Sequence, residues 1–362
     1  MPAMRCFVCL LLLGAAPIDT RAGAQSVVAV GTARAARGQI ASGAIEVPAG
    51  SDPALSIPVV VVNGAKPGPV LALVAGAHGT EYASIIALEQ LIATLDATKV
   101  SGSVIIVPLL NVPSFTKIVP HLNPVDGKNM NRMYPGRIDG SQTDRASYLM
   151  TKQVVEVSDH LIDFHGGDID ENLRPYAYWQ KTGRAAQDAA SLGMVLAFGL
   201  DHIIITTGRP TDPGDSRYLE NTATTRGKPS ITVEAGRAGT VDPHDVAALV
   251  NGTLGVMRHL KMLPGTPTAV QHPVWIDRLA DVASEQSGIF YPSVERGSFV
   301  EAGTLIGRVT DYVGRPIFDA RAKAAGIVLY VRAVPSINKG DAVASIGVVG
   351  KAPDAAPPPQ PQ

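Results

Sequence analysis

Two short segments of the sequence place metal-binding side chains directly after apolar runs. His78 and Glu81 follow the run at residues 71–75, and His165 ends the run that begins at Asp159. Imidazoles and carboxylates are zinc ligands, and two imidazoles with one carboxylate leave a fourth coordination position open for water. The sequence therefore offers His78, Glu81 and His165 as the ligands of a catalytic zinc ion, one per chain.

A further acidic residue, Glu234, ends the β-branched run at residues 230–233. Its carboxylate suits the general base that takes a proton from an activated water and returns it to a leaving amine. Asp163 lies two residues before His165, on the same side of the predicted strand, where it can orient the imidazole. We predict Glu234 as the catalytic residue and Asp163 as the residue that orients a ligand.

These residues can meet only if the strands that precede them are neighbours in one sheet. Apolar residues recur at helical spacing over residues 80–95, so a strand gives way to a helix close to His78. Strands and helices alternate over residues 59–263, which predicts an α/β fold with a mixed, mostly parallel sheet and helices on both faces. The carboxyl ends of parallel strands share one edge of such a sheet, where binding crevices form.

A long segment without periodicity, residues 115–144, is rich in Pro, Gly and Asn, and long irregular segments inside compact domains are commonly functional. Arg132 in this segment carries a guanidinium, the preferred bidentate partner of a substrate carboxylate. A salt bridge that anchors the loop is the alternative role for Arg132. His121 and Tyr134 lie in the same segment, and we expect both to line the substrate pocket.

Four motifs in order resemble the succinylglutamate desuccinylase and aspartoacylase family, within the zinc carboxypeptidase fold. The motifs are Gly76-Ala-His78-Gly-Thr-Glu81, Asn129-Met-Asn131-Arg132-Met-Tyr-Pro-Gly136, Asp163-Phe-His165-Gly-Gly and Glu234-Ala-Gly236. The resemblance covers roughly residues 59–347. It implies zinc at His78, Glu81 and His165, and Glu234 as the catalytic acid and base. It also implies that Asn131 and Arg132 bind the carboxylate or carbonyl group of the substrate.

The chain departs from the family pattern at three places. Thr80 and the pair Asn129-Met130 stand where the family commonly has Asp and Asp-Leu. No arginine lies between Asn111 and Asn131, although many members of the family carry one there. The motifs therefore leave open which residue makes the second contact with the substrate carbonyl.

The composition changes at residues 264–267, which contain two prolines and a glycine. Short strands with glycine turns follow, and segments 297–307 and 336–347 resemble each other as the two halves of a lipoyl-type barrel-sandwich do. We predict a signal peptide at residues 1–24, a zinc carboxypeptidase-like catalytic domain at 25–263, a small all-β barrel-sandwich-like module at 268–349 and a disordered tail at 350–362.

The first residues have the layout of a secretory signal peptide. Arg5 precedes an apolar block at residues 6–16, and small residues at 22–24 provide a cleavage site. We expect an exported, periplasmic protein with no membrane anchor after cleavage. The chain has 31 basic and 32 acidic residues, so it generates no electrostatic field that would attract nucleic acid.

The complete set of ligands and base predicts a zinc-dependent hydrolase. Its partner would be a small N-acyl amino acid, or a related compound, whose amide bond it cleaves. A periplasmic metallocarboxypeptidase acting on cell-wall or nutrient peptides is the alternative within the same fold. A non-catalytic binding protein on that fold is the alternative from another class. The sequence leaves the acyl group, the amine and the oligomeric state open.

Overall fold

The computed structural model describes residues 27–353, so the predicted signal peptide and residues 354–362 of the predicted tail lie outside the described residues. The α-helices in this range are α1 (Tyr82–Thr94), α2 (Val112–Lys117), α3 (Gln142–Met150), α4 (Ala185–Phe198), α5 (Leu219–Thr225) and α6 (Pro243–His259). The strands are β1 (Val27–Val30), β2 (Ala33–Ala36), β3 (Gln39–Val47), β4 (Leu55–Asn63), β5 (Lys66–Val74), β6 (Ser101–Val107), β7 (His160–His165), β8 (Glu171–Leu173), β9 (Tyr176–Gln180), β10 (His202–Thr206), β11 (Ser230–Glu234), β12 (Val274–Ala283), β13 (Gly288–Pro292), β14 (Phe299–Val300), β15 (Leu305–Thr310), β16 (Pro316–Arg321), β17 (Gly326–Arg332), β18 (Ser336–Ile337) and β19 (Ala342–Val349).

One large mixed sheet runs through the described part of the chain. Its strand order is β14-β17-β19-β12-β10-β9-β11-β7-β5-β6-β4-β3, and β8 pairs with β17 beside this path. The central pairings of β7 with β5 and β11, and of β5 with β6, are parallel. Antiparallel pairings dominate at both ends. The predicted α/β fold class is therefore confirmed.

Helices cover both faces of this sheet because the strands are apolar on both sides. One core packs α1, α4 and α6 against the sheet and includes Leu91, Phe164 and Met257. The opposite core packs α3, α5 and the β1–β2 hairpin against the other face and includes Met150 and Leu161. Neighbouring residues of β7 thus enter different cores, as the twofold alternation of a strand requires. Across residues 27–353, none of the helices has the length and hydropathy that a bilayer crossing requires.

Three strand ends that carry polar residues lie side by side at one edge of the sheet. In the parallel register, Val74 at the end of β5 is the partner of Asp163 in β7. His165 at the end of β7 is the partner of Glu234 at the end of β11. Side chains of paired residues in neighbouring strands project to the same face, so His165 and Glu234 point together toward the α3 and α5 side. The order of the strands therefore determines which side chains can form a site.

The C-terminal strands extend the large sheet instead of forming a separate body. Strand β12 pairs in parallel with β10 and antiparallel with β19, which places β12, β17 and β19 in line with the strands that carry the candidate site residues. A second sheet, β16-β15-β13-β18, packs on these strands around a small core that includes Phe290 and Ile306. The expected C-terminal β region is present, and the domain boundaries remain a prediction.

The close approach of β7 and β11 gives a test at Gly166, the residue after His165. A Cβ atom on Gly166 would lie 2.3 Å from the carbonyl oxygen of Ala235, in the loop after β11. We expect Gly166→Ala to lower the free energy of unfolding by about 1–3 kcal/mol, because the added methyl group forces the two backbones apart. Chemical denaturation measures this loss. Gly214→Ala is the control, since its nearest atom would be Asp212 Oδ1 at 3.2 Å; equal stability of the two variants would contradict the prediction.

Candidate active site

The turn after β5 positions His78 by bonding to the neighbouring loop after β6. Gly76 has a φ of +71°, a left-handed conformation that glycine adopts without strain. The backbone N–H of Asn111 donates to the carbonyl of Gly76 at 2.8 Å, and its side-chain amide donates to the carbonyl of Ala77 at 3.2 Å. His78 therefore lies on a turn that is fixed on two sides before helix α1 begins.

Glu81 lies between two imidazoles. Its Oε1 is 2.6 Å from His78 Nδ1, and its Oε2 is 3.0 Å from His165 Nδ1. One ligand atom from each of the three residues lies within 4.8 Å of the others, and all three side chains are buried. Atoms this close can all reach one ion at the roughly 2 Å that zinc requires. The two nitrogen donors and the carboxylate therefore fit the predicted zinc ion, although other divalent metals accept the same donors.

The outer nitrogens of both imidazoles have polar neighbours that fix the rings. His78 Nε2 lies 3.2 Å from Asn129 Oδ1. His165 Nε2 lies 3.3 Å from Asp163 Oδ1 and 3.0 Å from Asn131 Nδ2. When Nδ1 of His165 binds a metal, Nε2 carries the proton and can donate to Asp163, whereas the Asn131 Nδ2 group, itself a donor, cannot bond to the protonated nitrogen. Asp163 is thus buried beside the candidate ligand His165, and its orienting role stays a prediction.

The charges of this cluster shift the pKa values of its members. Burial raises the pKa of Glu81, but the attraction of His78 and His165 and their hydrogen bonds outweigh burial and lower the pKa to about 2. Burial lowers the pKa of His165, but the carboxylates of Asp163 and Glu81 raise it well above its usual value. Burial raises the pKa of Glu234 well above the ordinary range, and the nearby negative charge of Glu81 adds to the effect.

A cavity of about 350 Å³ opens over the three candidate ligands, a size typical of small-molecule sites. Its walls include Glu234, Asn131 and Arg132, so three further residues of the predicted site lie beside the candidate metal ligands. The other lining residues are Glu171, Leu173, Tyr176, Tyr178, Arg209, Tyr218, Glu220, Thr232, Leu279, Asp281, Tyr330, Ala342 and Ser345. The roles of the predicted residues stay predictions.

His121 lies beside the cavity but is held by two aspartates. Its Nε2 is 2.9 Å from Asp170 Oδ1, and its backbone N–H donates to Asp168 Oδ2 at 3.0 Å. Thr80 donates to the other oxygen of Asp168. Burial lowers the pKa of His121, but the bond with Asp170 and the surrounding carboxylates raise it to about 9. His121 is not among the residues that line the cavity, so the predicted substrate contact stays a prediction.

The loop that carries Asn131 is tied to the start of α5. The backbone N–H of Leu219 donates to Asn131 Oδ1 at 2.9 Å, and Tyr134 and Arg217 exchange backbone hydrogen bonds at 3.3 and 2.9 Å. The Tyr134 side chain is buried and does not line the cavity. Its hydroxyl has no hydrogen-bond partner among the described residues. Its predicted pocket role also stays a prediction.

The sequence reasoning missed Arg209, Tyr218 and Glu220 in the cavity wall. Arg209 follows the end of β10 by three residues. The pattern that identified His165 and Glu234, a polar residue at the end of an apolar strand, therefore points to Arg209 as well. Tyr218 and Glu220 lie at the start of α5, a helix of seven residues with a largely polar sequence. Such a short helix has no apolar periodicity by which it could be recognised.

Comparison with known proteins decides the family. A sequence model of the succinylglutamate desuccinylase/aspartoacylase catalytic domain matches residues 67–260. The chain belongs to this family. The resemblance inferred from the four motifs is thereby confirmed.

Relatives cover most of the chain. The N-alpha-acetyl-L-2,4-diaminobutyric acid deacetylase of Halomonas elongata is 33% identical over 304 residues, which are 82% of this chain and 86% of the relative. The product-bound ectoine utilization protein EutE of Ruegeria pomeroyi is 29% identical, with a TM-score of 0.77 over 85% of this chain and 95% of that one. A succinylglutamate desuccinylase from a Silicibacter species is 26% identical, with a TM-score of 0.77 over 86% and 95% of the two chains. The protein is an amidohydrolase of the deacylase type.

The contact between Asp163 and His165 predicts a measurable effect on metal affinity. We expect Asp163→Asn to weaken the binding of a divalent ion by about 10- to 100-fold, because the neutral amide holds the His165 ring less firmly and lowers its basicity. Competition with a chelator of known affinity measures the change. Asp139→Asn, at an exposed position in the loop before α3, is the matched control. Equal affinities of the wild type and Asp163→Asn would rule out an orienting role.

Proposed function

We propose that the protein is a zinc-dependent deacylase that hydrolyses the amide bond of a small N-acyl amino acid. The observation that carries this proposal is the position of Glu234 beside His165 in the sheet register, in a cavity that also contains His78 and Glu81. A metal-ligand trio with a carboxylate next to it is the minimum set for metal-assisted amide hydrolysis.

Each residue of the proposed active site has its own role in the reaction. When bound by His78, Glu81 and His165, zinc would lower the pKa of a water ligand to about 7 and polarise the scissile carbonyl. Glu234 accepts the proton of the attacking water and donates it to the leaving amine nitrogen. A carboxyl group can make both transfers, because it accepts a proton as the carboxylate and donates it again as the acid. Arg132, exposed at the wall of the cavity, binds the substrate carboxylate.

The names of the relatives support an N-acyl amino acid as the substrate class. The Halomonas elongata relative is named for the deacetylation of an acetylated diamino acid. A cavity of about 350 Å³ accommodates an N-acetyl amino acid. A peptide with several residues would have to extend beyond the cavity, so the deacylase assignment has more support than the carboxypeptidase alternative.

Glu234→Gln tests the mechanism. We expect this variant to keep about one zinc ion per chain and to lose activity by about 10²- to 10⁴-fold in kcat, because the amide accepts no proton from the attacking water. Metal analysis and a direct assay of the released amine measure the two quantities. Glu285→Gln, at an exposed position on the turn after β12, is the matched control. Wild-type turnover by Glu234→Gln would remove Glu234 from the mechanism.

The assay should use Nα-acetyl-L-2,4-diaminobutyrate, N-acetyl-L-aspartate, N-succinyl-L-glutamate and a peptidoglycan stem peptide. Chelation should abolish turnover, and added zinc should restore it. Full activity of the metal-free protein would contradict the zinc requirement. Preferential release of the C-terminal residue of the stem peptide would favour the carboxypeptidase. A zinc-loaded protein that binds these compounds but hydrolyses none of them would be a binding protein.

The enzyme acts after export in this proposal. Its support is the charged residue Arg5, the apolar block at residues 6–16 and the small residues at 22–24. The cleavage pattern places the first residue of the mature chain at Gln25.

Expression of the full chain in a bacterium with a periplasm tests the export. We expect the protein in the periplasmic fraction, with an N-terminal sequence that starts at Gln25, because signal peptidase cleaves after small residues. Edman sequencing or intact-mass measurement identifies the terminus. A variant with charged residues in place of Leu11 and Leu12 should stay in the cytoplasm uncleaved. Unprocessed wild-type protein in the cytoplasmic fraction would contradict the export.

A further inference from the structure

Arg209 lines two cavities. One is the candidate active site, and the other has a volume of about 180 Å³. The smaller cavity lies between the segment after β9, the segment after β10 and the end of α5. Its volume is below the usual range of small-molecule sites and is about six times the share of one water molecule in the liquid. A cavity of this size suits a small ion better than an acylated amino acid.

The lining of the smaller cavity is basic. Lys181, Arg184 and Arg209 contribute to it, and no acidic residue does. The nearest acid along the chain from Lys181 and Arg184 is Asp188, whose carboxylate accepts two backbone N–H groups of the turn before α4 at 2.8 and 3.0 Å. Within residues 27–353, no carboxylate forms an ion pair with Lys181 or Arg184. Positive charge therefore collects at this cavity without an acid in its lining to offset it.

Hydrogen-bond donors of the lining remain available for a ligand. Arg184 Nη1 donates to the carbonyl of Thr224 at 3.1 Å, and the other guanidinium nitrogens of Arg184 have no hydrogen-bond partner in the described part of the chain. Gln180 accepts from the Thr224 hydroxyl through Oε1 at 3.1 Å, so its amide nitrogen can donate elsewhere. Lys181 Nζ lies 5.8 Å from the centroid of the Trp179 ring, a contact that leaves its N–H groups free to bind an anion.

Arg209 carries an unsatisfied donor. Its Nε atom is buried and has no hydrogen-bond partner among the described residues, and a buried donor without a partner is costly. Its Nη2 atom lies 3.6 Å from Glu220 Oε1, which is longer than a charge-assisted hydrogen bond. The guanidinium carbon lies 3.9 Å from the centroid of the Tyr218 ring, which holds the planar group in one orientation. An anion that accepts from Nε would remove the cost of the unpaired donor.

We propose that the smaller cavity is a binding site for a phosphate group, held by Lys181, Arg184 and Arg209. A phosphate group carries a charge of about −1.5 to −2 near pH 7 and offers three or more acceptor oxygens. It therefore matches two guanidinium groups and an ammonium group that come from two segments of the chain. Free phosphate and a phosphate ester share this chemistry, and the small volume favours the free ion. The site does not depend on the proposed function, since Lys181 and Arg184 do not line the candidate active site.

Calorimetric titration of the zinc-loaded protein with inorganic phosphate, at constant ionic strength, tests the site. We expect one phosphate ion per chain to bind with an affinity that Arg184→Met and Lys181→Met each lower by about tenfold or more, because each variant loses a charge-assisted contact. Thermal melting verifies that the variants are folded. Arg184→Met also loses the bond to the Thr224 carbonyl, whereas Lys181→Met removes an exposed side chain and keeps the test valid if Arg184→Met does not fold.

Arg132→Met is the matched control, because Arg132 lines the candidate active site and not the smaller cavity. This variant should bind phosphate as tightly as the wild type does. Absence of phosphate binding would overturn the proposal. So would an affinity that Arg132→Met lowers while Lys181→Met and Arg184→Met leave it unchanged, since phosphate would then occupy the candidate active site. The titration involves no turnover, so a failure to hydrolyse acylated amino acids would not affect its result.

A titration with O-phospho-L-serine separates the two sources of a phosphate group. We expect this ester to bind more weakly than inorganic phosphate, because the cavity of about 180 Å³ has little room for the rest of the molecule. Tighter binding of the ester, lowered by Lys181→Met, would support the phosphate site and assign it to an organic phosphate. Binding of the ester or of phosphate that is insensitive to Lys181→Met and to Arg184→Met would count against the site.

Discussion

The contact of one carboxylate with two imidazoles is the interaction on which the site depends. Glu81 is 3% exposed, and a charge buried this deeply is tolerated only when it is paired. His78 supplies one partner from the same turn, whereas His165 comes from a strand more than eighty residues later. The apolar cores on both faces of the sheet hold these two strand ends at the required distance. Packing and chemistry are therefore linked, because a shift of β7 against β5 would leave the Glu81 charge without one partner.

The two sides of the cavity are built in different ways. The candidate metal ligands and Glu234 lie on or next to central strands, whose positions are fixed by hydrogen bonds and by side chains in the cores. Arg132, Arg209 and Tyr218 lie on connecting segments, which are held by individual bonds such as that between Leu219 and Asn131. Strands thus position the candidate metal ligands and Glu234, and connecting segments carry other polar groups of the cavity wall.

The sequence predicted the central strands and the residues at their ends because both signals are local. An apolar run followed by His165 or by Glu234 can be recognised without knowledge of the neighbouring strand. The same local pattern extends to Arg209, but its contact with Tyr218 could not be recognised in this way, since the tyrosine lies nine residues further along the chain. The continuity of β12 with β10 was missed for the same reason. Hydrogen bonds between two strands produce no periodic pattern in the sequence of either strand. The sequence therefore predicts a separate C-terminal module.

The walls formed by β12, β17 and β19 have a consequence for the order in which the site is assembled. Asp281, Tyr330 and Ser345 all line the cavity, and all three follow His165, the last of the candidate ligands, by more than a hundred residues of sequence. During translation, His78, Glu81 and His165 are synthesised well before these three wall residues. The nascent chain thus has its candidate ion-binding side chains available early, but the walls of the cavity are complete only after β12, β17 and β19 have been synthesised.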